Sequence, residues 1–342
     1  MPHRTFLWFI LPSAIAMILF IALPIVSVIV QSLYIEHERV LVAVENCDPF
    51  GCKTEMKVDT EAYETLQQER PLGRFNGLGT YMDRRHLAFS EISSMWQAQP
   101  ALGAFVNEVL ELPFYRALFF TLAYTAIVSP LVVLLGFIIA VAVNGLPGLI
   151  KGPVIFTSLL PMIITPLVGS LVLFWMIDAN GIIGGTLQWL MGDPNFSLKA
   201  SPSLTWATLF TYGIWNSVPF AFIVLYAGLQ TVPRDTLESA MVDGASRWER
   251  LRYVVIPHLM PLVVFIGLIQ LMDNFRVFEP IVGFSAQASA TSLSWIIYND
   301  LRSQGAPLFA SGAATSVLTI IGLSILMLPV LRRTWHDFKV KA

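Results

Sequence analysis

Six long apolar stretches dominate this chain and leave few folds open to it. They run roughly over 6–33, 117–143, 154–177, 204–229, 261–284 and 310–331. A hydrocarbon layer about 30 Å thick asks for about 20 mostly apolar residues in a helix, and each stretch meets that length. In lipid every backbone N–H and C=O must be paired within its own segment, so stretches of this kind become helices. Composition agrees: 55% of the 342 residues are hydrophobic and only 13% are charged, roughly half the charge density of a soluble domain. The fifth stretch is interrupted by Asp273, Arg276 and Glu279. The first is far longer than a signal-peptide core of roughly 7–15 residues and has no small-residue cleavage site after it, so a retained helix is expected.

Composition also excludes function classes. Apolar content is too high for disorder or a coiled coil, and 21 basic against 23 acidic residues, a net charge of −2, do not suit a nucleic-acid binder. None of the 22 glycines is followed by lysine, so the phosphate-binding loop of ATPases is absent. Basic residues in short loops set orientation. With the N-terminus placed in the cytoplasm, the inside segments hold Arg4, Lys151, Arg234, Arg247, Arg250, Arg252, Arg332, Arg333, Lys339 and Lys341, against Lys199 and Arg302 in the short outside loops. Both termini are therefore expected inside.

The segment of about 80 residues between the first two stretches is a different region and carries 13 of the 23 acidic residues. Long segments translocate whatever their charge, which allows an external location. Three regions follow: an N-terminal membrane helix over 1–34, an external insert over 35–114, and a core of five membrane helices over 115–342. Within the insert, 88–112 reads as helical, with Pro100 and Gly103 as its few breakers. Both cysteines lie in Cys47-Asp48-Pro49-Phe50-Gly51-Cys52. Turn residues between two close cysteines allow a disulfide at a hairpin tip, and such a bond persists in an oxidising compartment. Two free thiols are the alternative. A zinc site would need further ligands that His37 and His86 do not supply, and no metal is expected.

Between the fourth and fifth stretches, 230–260 reads as helix–turn–helix. Leu237, Ala240 and Met241 share one face of a helix starting near Thr236. Gly244 stands where a left-handed cap is wanted. Ser246 with Glu249 forms a capping box that restarts a helix. Trp248, Leu251 and Val255 make its apolar face, and Pro257 is expected to end it. A rigid, partly apolar elbow of this kind suits a docking partner better than a plain connection.

Glu238-Ser239-Ala240, then Asp243-Gly244-Ala245, then Ile256-Pro257 and Pro261, resemble the Glu-Ala-Ala…Gly loop of ABC importer permeases. Ser239 stands where alanine is usual. The likeness extends to the carbohydrate-uptake branch, the maltose-type first permease subunit, through Leu23-Pro24, Gly181-Ile182-Ile183-Gly184, Gly228-Leu229-Gln230, Asn274-Phe275 and Thr291-Ser292-Leu293. The branch's usual Gly-Gly-Pro is replaced by Gly283-Phe284-Ser285-Ala286-Gln287. The resemblance implies an all-α integral membrane fold, a type I importer bundle of six transmembrane helices with the long external insert. It implies a bacterial inner membrane, a second permease subunit, an ATP-binding subunit dimer that carries ATP and magnesium, and a periplasmic solute-binding protein. This chain would then hold no cofactor and catalyse nothing itself. Glu238, Ser239, Ala240, Asp243, Gly244, Ala245, Arg247 and Pro257 would couple it to the ATPase.

Candidate solute contacts come from the chemistry of buried polarity. A charge near the bilayer centre costs about 2.5–3.5 kcal/mol on insertion scales, so it faces a cavity or a partner. Asp273 and Arg276 are neighbours at i, i+3, with Asn274 beside them and Glu279 further on. They line a solute path or form an internal ion pair. Tyr212, Trp215 and Asn216 offer ring faces and amide groups suited to a sugar, or mark the membrane interface. The expected solute is a neutral sugar, oligosaccharide or polyol, with an anionic or phosphorylated sugar derivative or a polyamine as alternatives. A proton-coupled carrier using Asp273 or Glu279 is the competing class, although it would need no coupling loop. No nucleophile–base arrangement for an enzyme is present.

Overall fold

Prolines decide where the helices of this protein bend and where they run on. The computed structural model describes residues 3–37, 41–48, 51–98, 101–303 and 307–341. From the N-terminus, α1 (Trp8–Ser32) is the first candidate span. The insert holds two antiparallel pairs, β1 (Tyr34–Ile35) with β4 (Arg74–Phe75) and β2 (Leu41–Asp48) with β3 (Gly51–Val58), and the helices α2 (Thr60–Glu69), α3 (Gly79–Met82), α4 (Phe89–Ala98) and α5 (Leu102–Glu111). Next come α6 (Pro113–Asn144), α7 (Gly148–Ile163), α8 (Pro166–Met176), α9 (Ile182–Met191) and α10 (Pro202–Gln230). Then follow α11 (Arg234–Val242), α12 (Arg247–Phe275), α13 (Glu279–Gly283), α14 (Leu293–Leu301) and α15 (Phe309–Lys341). Among the described residues five helices are long and apolar enough to cross a membrane, and the bent pair α7 and α8, counted as one, gives a sixth candidate span.

That third span is not the straight helix expected over 154–177. Its two halves meet at 94°. Ile164 and Thr165 take extended backbone, ψ 125° and 143°, because a residue before proline is pushed out of the helical region, and Pro166 follows. Elsewhere proline is absorbed. In α1 a wide π turn over Ile18–Ala22 precedes Pro24, and in α12 another over Leu251–Val255 precedes Pro257. Each is closed by an i→i−5 bond, Leu23 to Ile18 and Ile256 to Leu251. The wider turn moves aside the carbonyl that the proline ring would strike. Pro257 therefore does not end its helix. The fifth span starts at Arg247 and stops at Phe275, not at 261 and 284, so Arg276 and Glu279 lie beyond it.

The chain divides into two compact units, Met1–Tyr115 with Ile296–Ile321, and Arg116–Trp295 with Gly322–Ala342. In the first, the helical reading of 88–112 is realised as α4 and α5. Residues 99–100, which include Pro100, fall outside the described ones. Cys47 and Cys52 are cross-strand partners in the β2–β3 hairpin. Their side chains lie outside those described, so the disulfide remains an expectation of the sequence. His37 sets its Nε2 2.9 Å from the Arg70 carbonyl, and no metal-binding cluster occurs among the described residues.

His86 is the buried anchor of this unit. Its Nε2 lies 3.2 Å from the Ser311 carbonyl and 3.1 Å from the Thr315 hydroxyl, while Ser311 donates to Asp300 at 2.6 Å. Burial lowers its pKa from the usual histidine value, against the opposing pull of the Ser311 carbonyl and the charges of Asp300 and Asp83. A lowered folded pKa means that the unfolded chain binds the proton more readily. Stability is therefore complete above about pH 6.5 and declines as pH falls below it toward the folded pKa. Limited proteolysis of the insert should accelerate severalfold between about pH 7.5 and about pH 5.5, and His86→Gln should flatten that difference. An unchanged pH dependence in the variant would remove His86 from this role.

The second unit has its core where α6, α10 and α12 meet. Phe120, Leu209, Phe222, Leu225, Leu259 and Ile266 are fully buried there. Phe120, Tyr124, Trp206 and Phe210 form a cluster of tilted and edge-on rings with centroids 5.0–6.3 Å apart, the spacing aromatic pairs prefer.

Candidate functional site

A polar cavity of the second unit lies beside the break in the third span. Helix ends leave carbonyls and amides without intrahelical partners, and in a membrane such ends are tolerated where they line a cavity. Two side chains of α10 bind carbonyls beside the break, of which Pro161 lies in the last turn of α7. The Tyr212 hydroxyl donates to the Pro166 carbonyl at 2.7 Å, and Asn216 Nδ2 donates to the Pro161 carbonyl at 3.2 Å. Ser170, on α8, donates to Leu167 at 2.9 Å and approaches the Glu279 carbonyl at 3.4 Å.

The cavity measures about 550 Å³. Of the sequence candidates, Tyr212, Asn216, Asp273, Asn274, Arg276 and Glu279 all line it. Trp215 does not; it lines a separate, largely apolar pocket beside Met176. Tyr212 and Asn216 each use a donor on the broken span, so their first task is positional. Asn274 is nearly buried, and its amide donates to Ser129 at 2.9 Å and Gln270 at 3.3 Å. Arg276 donates to Asp273 at 2.7 Å, with both side chains more than half exposed. Glu279 opens α13 and makes no ion pair among the described residues.

Sequence reasoning missed Tyr124, Ser217 and Ser294 in the lining. The signal for Tyr124 was Gly213. A Cβ there would stand 2.0 Å from the Tyr124 hydroxyl, so only glycine lets the ring lie against α10.

The elbow is a second surface. Helix α11 ends in a Schellman motif, Ala245 N–H to Ala240 at 2.9 Å and Gly244 N–H to Met241 at 3.0 Å. Gly244 has φ +82°. The capping box is complete, Glu249 N–H to Ser246 Oγ at 3.3 Å and Ser246 N–H to Glu249 Oε2 at 2.7 Å. Ser239 donates to the Asp235 carbonyl. Leu237, Leu251 and Val255 pack on the unit's core, while Met241, Val242, Trp248 and Tyr253 are exposed. Trp248 was expected beside Leu251. Trp248 instead stays exposed while Leu251 and Val255 pack on the core. A start near Thr236 would place Glu238 in the first turn, but α11 begins at Arg234, and Asp235 holds the first-turn position. Asp243 caps α11, Arg247 opens α12, and Pro257 lies inside it.

Membrane helices built around a broken span, a polar cavity and an interfacial elbow define a transport-type membrane component. Residues 99–334 match the family of binding-protein-dependent transport system inner membrane components, and the chain belongs to that family. It is 30% identical over 235 residues to the probable ABC transporter permease protein y4oQ of Sinorhizobium fredii, covering 66% of this chain and 73% of that one. It is 27% identical to the trehalose/maltose transport system permease protein MalF of Thermococcus litoralis, over 61% and 70% of the two chains. The sn-glycerol-3-phosphate permease protein UgpA of Yersinia pestis is 25% identical over 64% and 76%. The fold matches a chain of a bacterial ABC transporter that imports the acidic polysaccharide alginate, with TM-score 0.59, 20% identity, and coverage of 76% of this chain and 87% of that chain.

Proposed function

We propose that this chain is the permease subunit through which an ATP-driven importer passes a sugar-like solute. A binding protein delivers the solute, a second permease supplies the facing half of the path, and an ATP-hydrolysing dimer binds the elbow from the cytoplasm. ATP and magnesium stay on that dimer. The membrane is a bacterial inner membrane with both termini on its cytoplasmic side, and a Cys47–Cys52 disulfide closes the external hairpin. The observation that carries this reading is the cavity at the broken span, rich in hydroxyl and amide groups, in a member of a binding-protein-dependent transport family. Hydroxyls and amides can both donate and accept, as recognition of a polyhydroxylated solute demands. The relatives named for trehalose and maltose support a sugar. The elbow supports the coupling: one face is fixed to the core and the other carries exposed apolar side chains.

The test is the complex of both permeases, the ATPase and the binding protein reconstituted in vesicles, with trehalose and maltose as probes. Loaded binding protein should stimulate ATP hydrolysis severalfold, and uptake should follow ATP. Uptake that ignores ATP and collapses with a protonophore would replace this reading with proton-coupled transport through Asp273 or Glu279.

A further inference from the structure

The charges lining the cavity do not cancel. Three charged side chains reach it: Asp273, Arg276 and Glu279. Arg276 is the one cation among the described lining residues, and its guanidinium already donates to Asp273 at 2.7 Å. Glu279 is exposed to the cavity and forms no ion pair among the described residues. One cation against two carboxylates leaves a formal charge of −1 on this wall. The remaining polar groups, Tyr124, Tyr212, Asn216, Asn274, Ser217 and Ser294, are neutral. Pro166 brings the N-terminus of α8 to the lining. A full helix N-terminus contributes about half a positive charge, and the five-residue α13 that Glu279 opens contributes less, so the two together do not offset a whole carboxylate. Walls of low dielectric focus the field of such a group into the cavity.

We infer that Glu279 makes this path selective by charge, admitting neutral or amine-bearing polyhydroxylated solutes and rejecting phosphorylated or uronate ones. The inference rests on the reading of this cavity as the solute path and narrows it. Arg276 on its own invites an anion. Paired with Asp273, it neutralises its neighbour and leaves the sign of the cavity to Glu279. A hydroxyl-rich solute meets this wall without a charge penalty, an ammonium gains from it, and a phosphate or carboxylate is repelled.

The sign of the cavity can be measured without knowing the solute. In the assembled complex, Ser217→Cys and, separately, Ser294→Cys place a thiol on the lining. Each is treated with a cationic and an anionic methanethiosulfonate of similar size. Rates are counted above those of the complex without the added cysteine and divided by the rates for a free thiol in solution. A local field alters thiol ionisation equally for both reagents, so their ratio reports the field acting on the reagent itself. The cationic reagent should be favoured by about tenfold. Glu279→Gln, which keeps size and hydrogen bonding, should bring the ratio close to one. Arg276→Gln should raise it further, because both carboxylates then stand uncompensated. A ratio at or below one in the unaltered background, an unchanged ratio in Glu279→Gln, or no reaction with either reagent at both positions would each overturn the inference. Failure of loaded binding protein to stimulate ATP hydrolysis would instead strike the transport reading, and it is scored in a separate assay.

Discussion

Gly244→Val should abolish most of the ATPase stimulation that loaded binding protein produces, while the complex still assembles in the membrane. The residue sits at φ +82° with no heavy atom within 4 Å of an added Cβ. Space is not the obstacle; backbone conformation is. A Cβ in left-handed geometry costs about 1–2 kcal/mol, more for a β-branched residue. The backbone can relieve that strain by opening the Schellman bonds from Ala245 and Gly244 to Ala240 and Met241. Opening them swings α11 away from the direction set by the capping box of Ser246 and Glu249. The core contacts of α12 through Leu259 and Ile266 lie well past the turn, and α11 adds only Leu237 to that core, so the bundle should survive. A docking surface needs its exposed Val242 and Trp248 in one fixed relation, and a loss of that energy weakens a productive contact about tenfold. Glu238→Lys should weaken docking through charge alone, since Glu238 is exposed on α11. Gly244→Asn is the control, because asparagine tolerates this conformation better than other side chains. Stimulation of Gly244→Val equal to the unsubstituted complex would remove the elbow from coupling. Loss in both Gly244→Val and Gly244→Asn would assign the effect to the glycine side of a contact and not to the turn.

The elbow was legible in the sequence because its determinants are local. A left-handed glycine, a serine and a glutamate three residues apart specify the turn without reference to the rest of the chain. The helical part of the insert and the hairpin around the cysteines were legible for the same reason. Pro257 was misread because a proline stops a regular α-helix, and whether a π turn will absorb it depends on packing that local pattern does not contain. The bend before Pro166 was missed for the converse reason: a uniformly apolar run reads as one straight span, although the backbone preference of Thr165 favours a break. The cavity itself was half legible. Intramembrane polarity singled out Asp273, Asn274, Arg276 and Glu279, and the spacing of Asp273 and Arg276 already allowed the ion pair. Asn274, however, meets Ser129 across 145 positions of sequence, and Tyr124 meets Gly213 across two helices. Contacts of that range leave no periodic trace. Trp215 was drawn toward the solute by its chemistry, yet it stands one residue from Asn216 on the helix and points to a different pocket.

Gly213→Ala should reduce solute uptake by about tenfold or more although it adds a single methyl group. The new Cβ would lie 2.0 Å from the Tyr124 hydroxyl and 2.8 Å from the carbon that bears it. Tyr124 has little freedom to retreat, because it is 3% exposed and its ring is locked against Phe120 and Phe210. Overpacking of this kind costs about 1–3 kcal/mol, which the structure must meet by moving α10 away from α6 or by turning the tyrosine out of its cluster. Either movement reshapes the cavity. Gly213 and Tyr124 both line it, and the next turn of α10 carries Asn216, which holds the broken span at Pro161. Expression and assembly should persist, since the fully buried side chains below this level are untouched. The decisive measurement adds a second substitution. Tyr124→Phe removes the nearest clashing atom, so Gly213→Ala with Tyr124→Phe should recover several-fold of the lost uptake, and Tyr124→Phe alone should cost less than Gly213→Ala. Recovery would show that the methyl acts through the ring. Equal loss in the single and double variants would place the defect elsewhere on α10, and full activity of Gly213→Ala would show that this wall can yield without consequence for transport.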